Sequence, residues 1–325
     1  MKTTTKRPAR GSTRAAKTGG APSSTALFLT GLCPNECRFC FERSENATRY
    51  VREKSEVLAA IEELRAAGAG SVDLIGGEPL LHPDFAAIAR AAAGAGLRVN
   101  VTTNGLALAD RAFARKVLPL LDGVVVSIHA GDARAYRALT GNDSGFATLR
   151  QALRELRRAG SGVRVMFNTT LTHRSLGTLE GILALVAPFA GARWDITNPF
   201  PLGGARDDYA AIAPRIGEAS RAFAGLVPRA RAAGVVVRFS FFPACAFGYA
   251  TEHSNDVAEP ALATGYRVDH ALNPEHPGDL VFRRAFGRPC RACRLRRERL
   301  CFGVPEAYLA AFGDADLRPP GKEPP

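Results

Sequence analysis

Six times along this 325-residue chain, a short apolar run gives way to a longer segment with the periodicity of a helix. The runs at 26–30, 71–75, 97–102, 123–128, 163–168 and 193–197 read as strands, and the segments at 54–68, 84–94, 109–118, 146–159 and 175–188 read as helices. Strands recurring at this spacing pair in parallel through right-handed crossovers, so the pattern specifies an α/β class. Gly68, Gly94 and Gly160 stand where helices should stop. Periodicity does not choose between a doubly wound sheet and an incomplete barrel, but both hold ligands at the C-terminal ends of their strands. A helix-like stretch at 207–233 and one more strand candidate, Val235–Phe239, prolong the pattern. Residues 250–280 are polar and loop-like, and Pro319 to Pro325 reads as a frayed tail.

The loop after the first strand contains Cys33-Pro34-Asn35-Glu36-Cys37-Arg38-Phe39-Cys40. Three soft thiolates on one loop can hold three irons of a cubane cluster and leave the fourth open to an outside ligand. An open iron suits chemistry better than electron carriage. A zinc knuckle would need a second thiolate pair or histidines, and the nearest histidine is His82. A disulfide framework fits poorly with seven cysteines, an odd number, in a chain that shows no secretory leader. Buried thiols clustered by chance are the remaining alternative.

C-x3-C-x2-C with an aromatic before its last cysteine, here Phe39, resembles the cluster loop of the radical S-adenosylmethionine (radical SAM) family. The resemblance implies that Cys33, Cys37 and Cys40 hold a 4Fe–4S cluster whose fourth iron is chelated by S-adenosylmethionine. Gly76-Gly77-Glu78-Pro79, at the end of the strand Ser71–Ile75, looks like the family's GGEP segment, which contacts the methionine moiety. Glycines suit such a place because a ligand can reach the backbone where no Cβ intervenes. Two later strand ends, Thr103-Asn104-Gly105 and Ser127-Ile128-His129, and Asn168 at the end of 163–167, look like positions that face the cofactor. Asn104 and Asn168 read equally well as turn residues, and a lone histidine such as His129 is more often structural. For the fold, the resemblance implies a partial (β/α)6 barrel over about residues 25–239, followed by a small cysteine-rich extension over 240–325.

That extension contains Cys245, Cys290, Cys293 and Cys301, which together can close a four-thiolate site. Zinc would make it structural; a second 4Fe–4S cluster would make it redox-active or substrate-binding. Spacing does not separate the two metals, and the resemblance favours iron, as an auxiliary cluster. Cys245 is the weakest ligand, since buried thiols after strands are common.

By resemblance, the reduced cluster passes an electron to S-adenosylmethionine, and the resulting 5′-deoxyadenosyl radical takes a hydrogen atom from a substrate. An electron donor such as flavodoxin or ferredoxin is then required, and the substrate is a peptide or a small molecule. Residues 1–24 are too short and polar for a peptide-recognition domain, and no cobalamin-binding domain precedes the barrel. Both features argue against a leader-dependent peptide enzyme and a cobalamin methylase. The formal net charge of +12 and the C-x2-C pair raise an alternative, a zinc-stabilised nucleic-acid-binding protein. Aromatic content of 8% and the lack of a stacking or helix-turn-helix motif argue against nucleic acid.

Half of the positive excess lies in residues 1–24, as Lys2, Lys6, Arg7, Arg10, Arg14 and Lys17, and this stretch reads as a disordered basic tail. A second basic cluster, Arg288, Arg291, Arg294, Arg296, Arg297 and Arg299, surrounds the late cysteines. No run of eighteen apolar residues predicts a membrane span, and the cytoplasm, a reducing compartment, fits an exposed cluster.

Overall fold

The computed structural model describes residues 25–42, 50–189, 191–260, 265–266, 268–269, 271–274 and 280–319. The basic tail at 1–24 and the residues from Pro320 onward lie outside the described residues. Seven parallel strands pair strictly in chain order: β1 Thr25–Phe28, β2 Ser71–Ile75, β3 Arg98–Thr103, β4 Gly123–Ser127, β5 Arg164–Thr170, β6 Arg193–Thr197 and β7 Val236–Ser240. The α/β class stands, and the further strand candidate at Val235–Phe239 is β7.

The crossovers carry α1 Lys54–Ala66, α2 Phe85–Gly94, α3 Arg111–Val117, α4 Ala133–Thr140, α5 Gly145–Arg158, α6 His173–Leu176, α7 Leu179–Val186, α8 Tyr209–Ile212 and α9 Ile216–Ala232. Gly94 is the last residue of α2 rather than its stop; the left-handed turn falls at Gly96, φ +82°. Asn168 lies inside β5, not at its end, because the strand runs on to Thr170. The segment between 128 and 146 holds α4, which the apolar periodicity did not predict. Asp132 caps it by accepting from Ala135 N–H at 2.8 Å, and Gly141, φ +68°, ends it.

Strand alternation sorts the sheet into two faces. Val72, Leu74, Val99, Val101, Val124, Val126, Phe167, Trp194, Ile196, Val237 and Phe239 are buried and join the core with Ile61, Ile88, Leu153 and Phe223 of the helices. Asp73, Asn100, Thr102, Ser127, Asn168, Asp195 and Thr197 alternate with them and are only half-buried. The register aligns Ser127, Asn168, Asp195 and Arg238 across β4 to β7. A polar row of this kind belongs to the inner, ligand-facing side of an open barrel.

An open series of strands has two edges with unpaired backbone groups. The C-terminal extension reaches both. Ser254 makes a parallel bridge to Phe239 of β7. Asn273 uses its side chain as a strand surrogate on β1: Oδ1 accepts from Phe28 N–H at 2.8 Å and Nδ2 donates to Ala26 O at 3.1 Å. The extension also carries α10 Asn255–Ala258, α11 Arg294–Arg297 and α12 Glu306–Phe312. Among the described residues no helix is long and apolar enough to cross a membrane.

Candidate metal and cofactor site

Cys33, Cys37 and Cys40 lie on the loop that leaves β1, and all three are half-buried. The loop is fixed from two sides by backbone. On one side Gly77 N–H donates to Thr30 O and Glu78 N–H to Leu32 O, both at 2.7 Å. A Cβ on Gly76, φ +139°, would stand 2.4 Å from Thr30 O, and one on Gly77 2.6 Å from Leu32 O. Only glycine allows that approach. Residues 30–32 of the loop that leaves β1 lie against both glycines. On the other side Glu36 N–H donates to Thr140 O at 2.7 Å, at the end of α4. Asn35 joins the same helix, donating from Nδ2 to Tyr136 Oη at 3.1 Å and accepting from Asn142 Nδ2 at 2.9 Å. Burial pushes the Tyr136 phenol up to about 12, so it is a neutral hydrogen-bonding group here.

Glu78 is a buried cross-brace between strand ends. Its Oε1 accepts from Thr103 Oγ1 at 2.7 Å and Leu80 N–H at 3.1 Å, and its Oε2 from Asn104 N–H at 2.7 Å. Burial raises its carboxyl to about 7, against the lowering effect of those three donors. Asn104, held in turn by Leu106 N–H on its Oδ1 at 2.9 Å, directs Nδ2 at Cys33 Sγ, 3.7 Å away. The chain of contacts Thr103–Glu78–Asn104–Cys33 therefore joins the ends of β2 and β3 to the first cysteine. Pro79 opens a short turn and is buried.

Phe39 is buried beneath the loop and meets His129 edge-on, centroids 4.7 Å apart. Nδ1 of His129 accepts from Thr170 N–H at 3.1 Å, and burial holds the ring down to about 4. It is a neutral imidazole packed under the cysteine loop. Ser127 pairs in register with Asn168, whose Oδ1 accepts from Thr197 Oγ1 at 3.2 Å, so both sit in the polar row of the inner face. Thr30 and Tyr136 escaped sequence reasoning, and Asn35 and Thr103, though inside the quoted motifs, were given no role of their own.

The late cysteines also converge. Cys301 and Cys290 stand close enough to Cys245 for their charges to raise its thiol, which burial pushes up to about 12. Cys301 and Cys293 act likewise on Cys290. Ala244 N–H donates to Cys301 Sγ at 3.5 Å. The six arginines of the second basic cluster are exposed around this group, with Arg296 over the Phe286 ring at 4.5 Å.

Among the described residues no three His, Cys, Asp or Glu side chains meet as ligands of one metal ion. In a cubane each thiolate binds a different iron, so the requirement is three thiols on one fixed loop. Cys33, Cys37 and Cys40 meet it, with Asn104 Nδ2 as a hydrogen-bond donor to sulfur, and the all-thiol set of Cys245, Cys290, Cys293 and Cys301 suits iron–sulfur or zinc.

Comparison with known proteins accords with this geometry. The radical SAM superfamily profile matches residues 27–186. A "Probable GTP 3',8-cyclase" of Saccharolobus islandicus (strain M.14.25 / Kamchatka #1) is 38% identical over 119 residues, covering 36% of this chain and 38% of that protein. Its counterpart in Saccharolobus solfataricus is 37% identical over 119 residues, with the same coverage. The chain thus spans well under half the length of these curated relatives. Among solved structures, Streptococcus suis SuiB bound to precursor peptide SuiA aligns with TM-score 0.52 at 16% identity, over 65% of this chain and 46% of that one. Native anSMEcpe with bound AdoMet aligns with TM-score 0.53 at 14% identity, over 66% and 63% of the two chains. At such identities these structures share the fold.

Proposed function

We propose that residues 27–186, which match the radical SAM superfamily profile, form a radical SAM domain, and that the protein is an enzyme that cleaves S-adenosylmethionine reductively to take a hydrogen atom from a substrate. The observation that carries the reading is the junction of three strand ends: the cysteine loop after β1, the glycine segment after β2 and Asn104 after β3. Cys33, Cys37 and Cys40 would hold a 4Fe–4S cluster. When bound, that cluster supplies an electron that splits a carbon–sulfur bond of S-adenosylmethionine, giving methionine and a 5′-deoxyadenosyl radical.

The chain's own residues have separate tasks. Gly76, Gly77, Glu78 and Pro79 fix the rim where the methionine moiety would lie, and Glu78 anchors Asn104 beneath Cys33. Ser127 and Asn168 offer polar contacts on the inner face for the ribose or carboxylate. Phe39 and neutral His129 pack the loop from below and keep water from that side. An external one-electron donor, of the flavodoxin or ferredoxin kind, supplies the reducing equivalent, and the substrate is a peptide or small molecule admitted at the open end of the sheet. The four late cysteines hold a second iron–sulfur cluster in preference to zinc, and an exposed cluster calls for the reducing cytoplasm.

The test is anaerobic reconstitution followed by reduction with S-adenosylmethionine present. 5′-Deoxyadenosine is expected from the wild type and none from the triple variant Cys33→Ala, Cys37→Ala, Cys40→Ala. Continued release by that variant would refute the site. About eight irons per chain are expected with both cysteine groups filled as 4Fe–4S clusters, and about four with one zinc would make the second group structural.

A further inference from the structure

The loop between β6 and α8 touches the cysteine loop at one end and Phe241 and Phe282 of the C-terminal extension at the other. Asn198 begins it, buried, with its backbone N–H on Ser240 O at 3.0 Å and Nδ2 on Phe241 O at 3.2 Å. The loop is thereby tied to the end of β7. Five residues on, Gly203 and Gly204 lie flat on the cysteine loop. Gly204 N–H donates to Cys40 O at 2.9 Å. A Cβ on Gly203, φ +52°, would stand 2.4 Å from Cys40 O, and one on Gly204 2.3 Å from Arg38 O. These are contacts of backbone on backbone, which no side-chain rotamer can relieve.

Between the two anchors, Phe200 faces Phe41 on one side, centroids 6.3 Å apart. On its other side it meets Phe241 at 4.9 Å and Phe282 at 5.4 Å. Phe241 is four residues before Cys245 and sits at φ +63°, a left-handed conformation that a residue with a Cβ adopts only when its surroundings hold it there. Both oxygens of Asp256 accept its N–H, at 3.0 and 3.1 Å. Asp256 pairs with buried Arg284 at 2.6 Å, and Arg284 NH2 donates to Gly303 O at 2.5 Å, two residues past Cys301. A continuous path of packed rings and buried hydrogen bonds thus runs from the late cysteines to the carbonyl of Cys40.

We propose that residues 198–205 form a clamp in which Gly203 and Gly204 are positioning residues for the Cys40 end of the cluster loop, and that Phe200 links the clamp to the C-terminal cysteine group. Filling the second site then tightens the first. The inference rests on the proposed chemistry for its purpose, but the clamp itself is testable without turnover.

The experiment is amide hydrogen exchange on peptides spanning residues 33–42 of the reconstituted full chain, beside electron paramagnetic resonance of the reduced protein with and without S-adenosylmethionine. Gly204→Ala is expected to speed exchange of these peptides at least tenfold and to blunt the spectral change that S-adenosylmethionine causes. Gly225→Ala, in α9 where an added Cβ meets nothing within 4 Å, is the control and should change neither. Phe200→Leu keeps the backbone approach, so it reads the link even if Gly204→Ala fails to fold. In the wild type, Cys290→Ser should loosen the 33–42 peptides; in the Phe200→Leu background that response should shrink at least threefold. Wild-type exchange in folded Gly204→Ala overturns the clamp, and an undiminished response in Phe200→Leu overturns the link. A wild type with no spectral response to S-adenosylmethionine, but with the expected exchange pattern, would sink the proposed chemistry and leave the clamp standing.

Discussion

Cys33, Cys37 and Cys40 hang from regular structure, whereas Cys245, Cys290, Cys293 and Cys301 hang from short turns. The first group is pinned by backbone hydrogen bonds from the ends of β1, β2, α4 and the 203–204 turn. The second sits on turns at 244–247 and 288–292 and on the loop after α11, and among the described residues its sheet partner is a pair of two-residue strands, Arg284–Ala285 and Val304–Pro305. What fixes the second region is a handful of side chains: Arg284 on Asp256, Tyr308 Oη accepting from Ile216 N–H at 2.9 Å, and Asp314 accepting from Arg288 N–H at 2.8 Å. The exposed turns at 288–292 and 296–299 open locally at low cost, although Ala244, Ala246 and Phe247 are packed into the core. The contrast teaches that backbone hydrogen bonds shape most of the first loop, while the second region depends more on its few side-chain contacts and on any metal its thiolates would hold.

Stripping metal is the strongest way to break that comparison. Chelation of the loaded protein should raise amide exchange at 285–303 by more than a hundredfold and leave β2 to β5 protected. Equal loosening of 33–42 would erase the distinction. Next comes Asp256→Ala, which leaves Arg284 buried without its carboxylate and frees the backbone of Phe241 from its left-handed conformation. Loss of one partner of a buried pair costs about 3–5 kcal/mol. The loss should appear as early, separate unfolding of the extension in urea. A single unfolding transition shifted as a whole would show that extension and barrel are one cooperative unit.

Glu78→Gln probes the better-ordered side. Its amide must point N–H2 at one of three donors, a cost of about 1–3 kcal/mol. The pH dependence has a definite sign. The folded carboxyl is raised from 4.5 to about 7, so the native state holds a proton that the unfolded chain has lost across that interval. This group's contribution to stability is full below about pH 4.5 and is lost as pH rises toward 7. The deficit of Glu78→Gln should therefore be largest near pH 4.5 and shrink toward pH 7. A deficit that grows with pH would mean that the carboxylate is stabilised as an anion by its donors.

Sequence pattern made the strands, the cysteine loop and the glycine segment legible because each is a local signal: an apolar run, a fixed spacing, a residue without Cβ. What escaped was long-range. Gly203 and Gly204 carry no local signal of their role, since their partner Cys40 lies far upstream in the chain. Asp256 falls in the stretch 250–280 that reads as polar loop, and only the fold brings Arg284 to it. The helix α4 escaped for another reason. Its buried residues, Tyr136, Leu139 and Thr140, form one apolar face but over only 8 residues, and its clearest signals are the cap Asp132 and the stop Gly141. Asn168 reads as a strand end, but buried Thr169 donates from Oγ1 to Ile128 O at 2.5 Å and the strand continues to Thr170.

His129 gives the smallest effect, and its sign is the reverse of that of Glu78. The folded imidazole is depressed from 6.5 to about 4, so the unfolded chain binds the extra proton between those values. Its contribution is present above pH 6.5 and is lost as pH falls toward 4. His129→Gln gives up an edge contact with Phe39 and alters the hydrogen bond from Thr170 N–H, together about 1–2 kcal/mol at pH 7. Relative to the wild type, the variant should recover as the pH is lowered, while Glu78→Gln recovers as it is raised. Urea midpoints at pH 5 and 7 for the two single variants and the double variant distinguish the opposing slopes. If His129→Gln runs parallel to the wild type across that range, the imidazole titrates alike in the folded and unfolded chains, and its burial as a neutral ring against Phe39 is wrong.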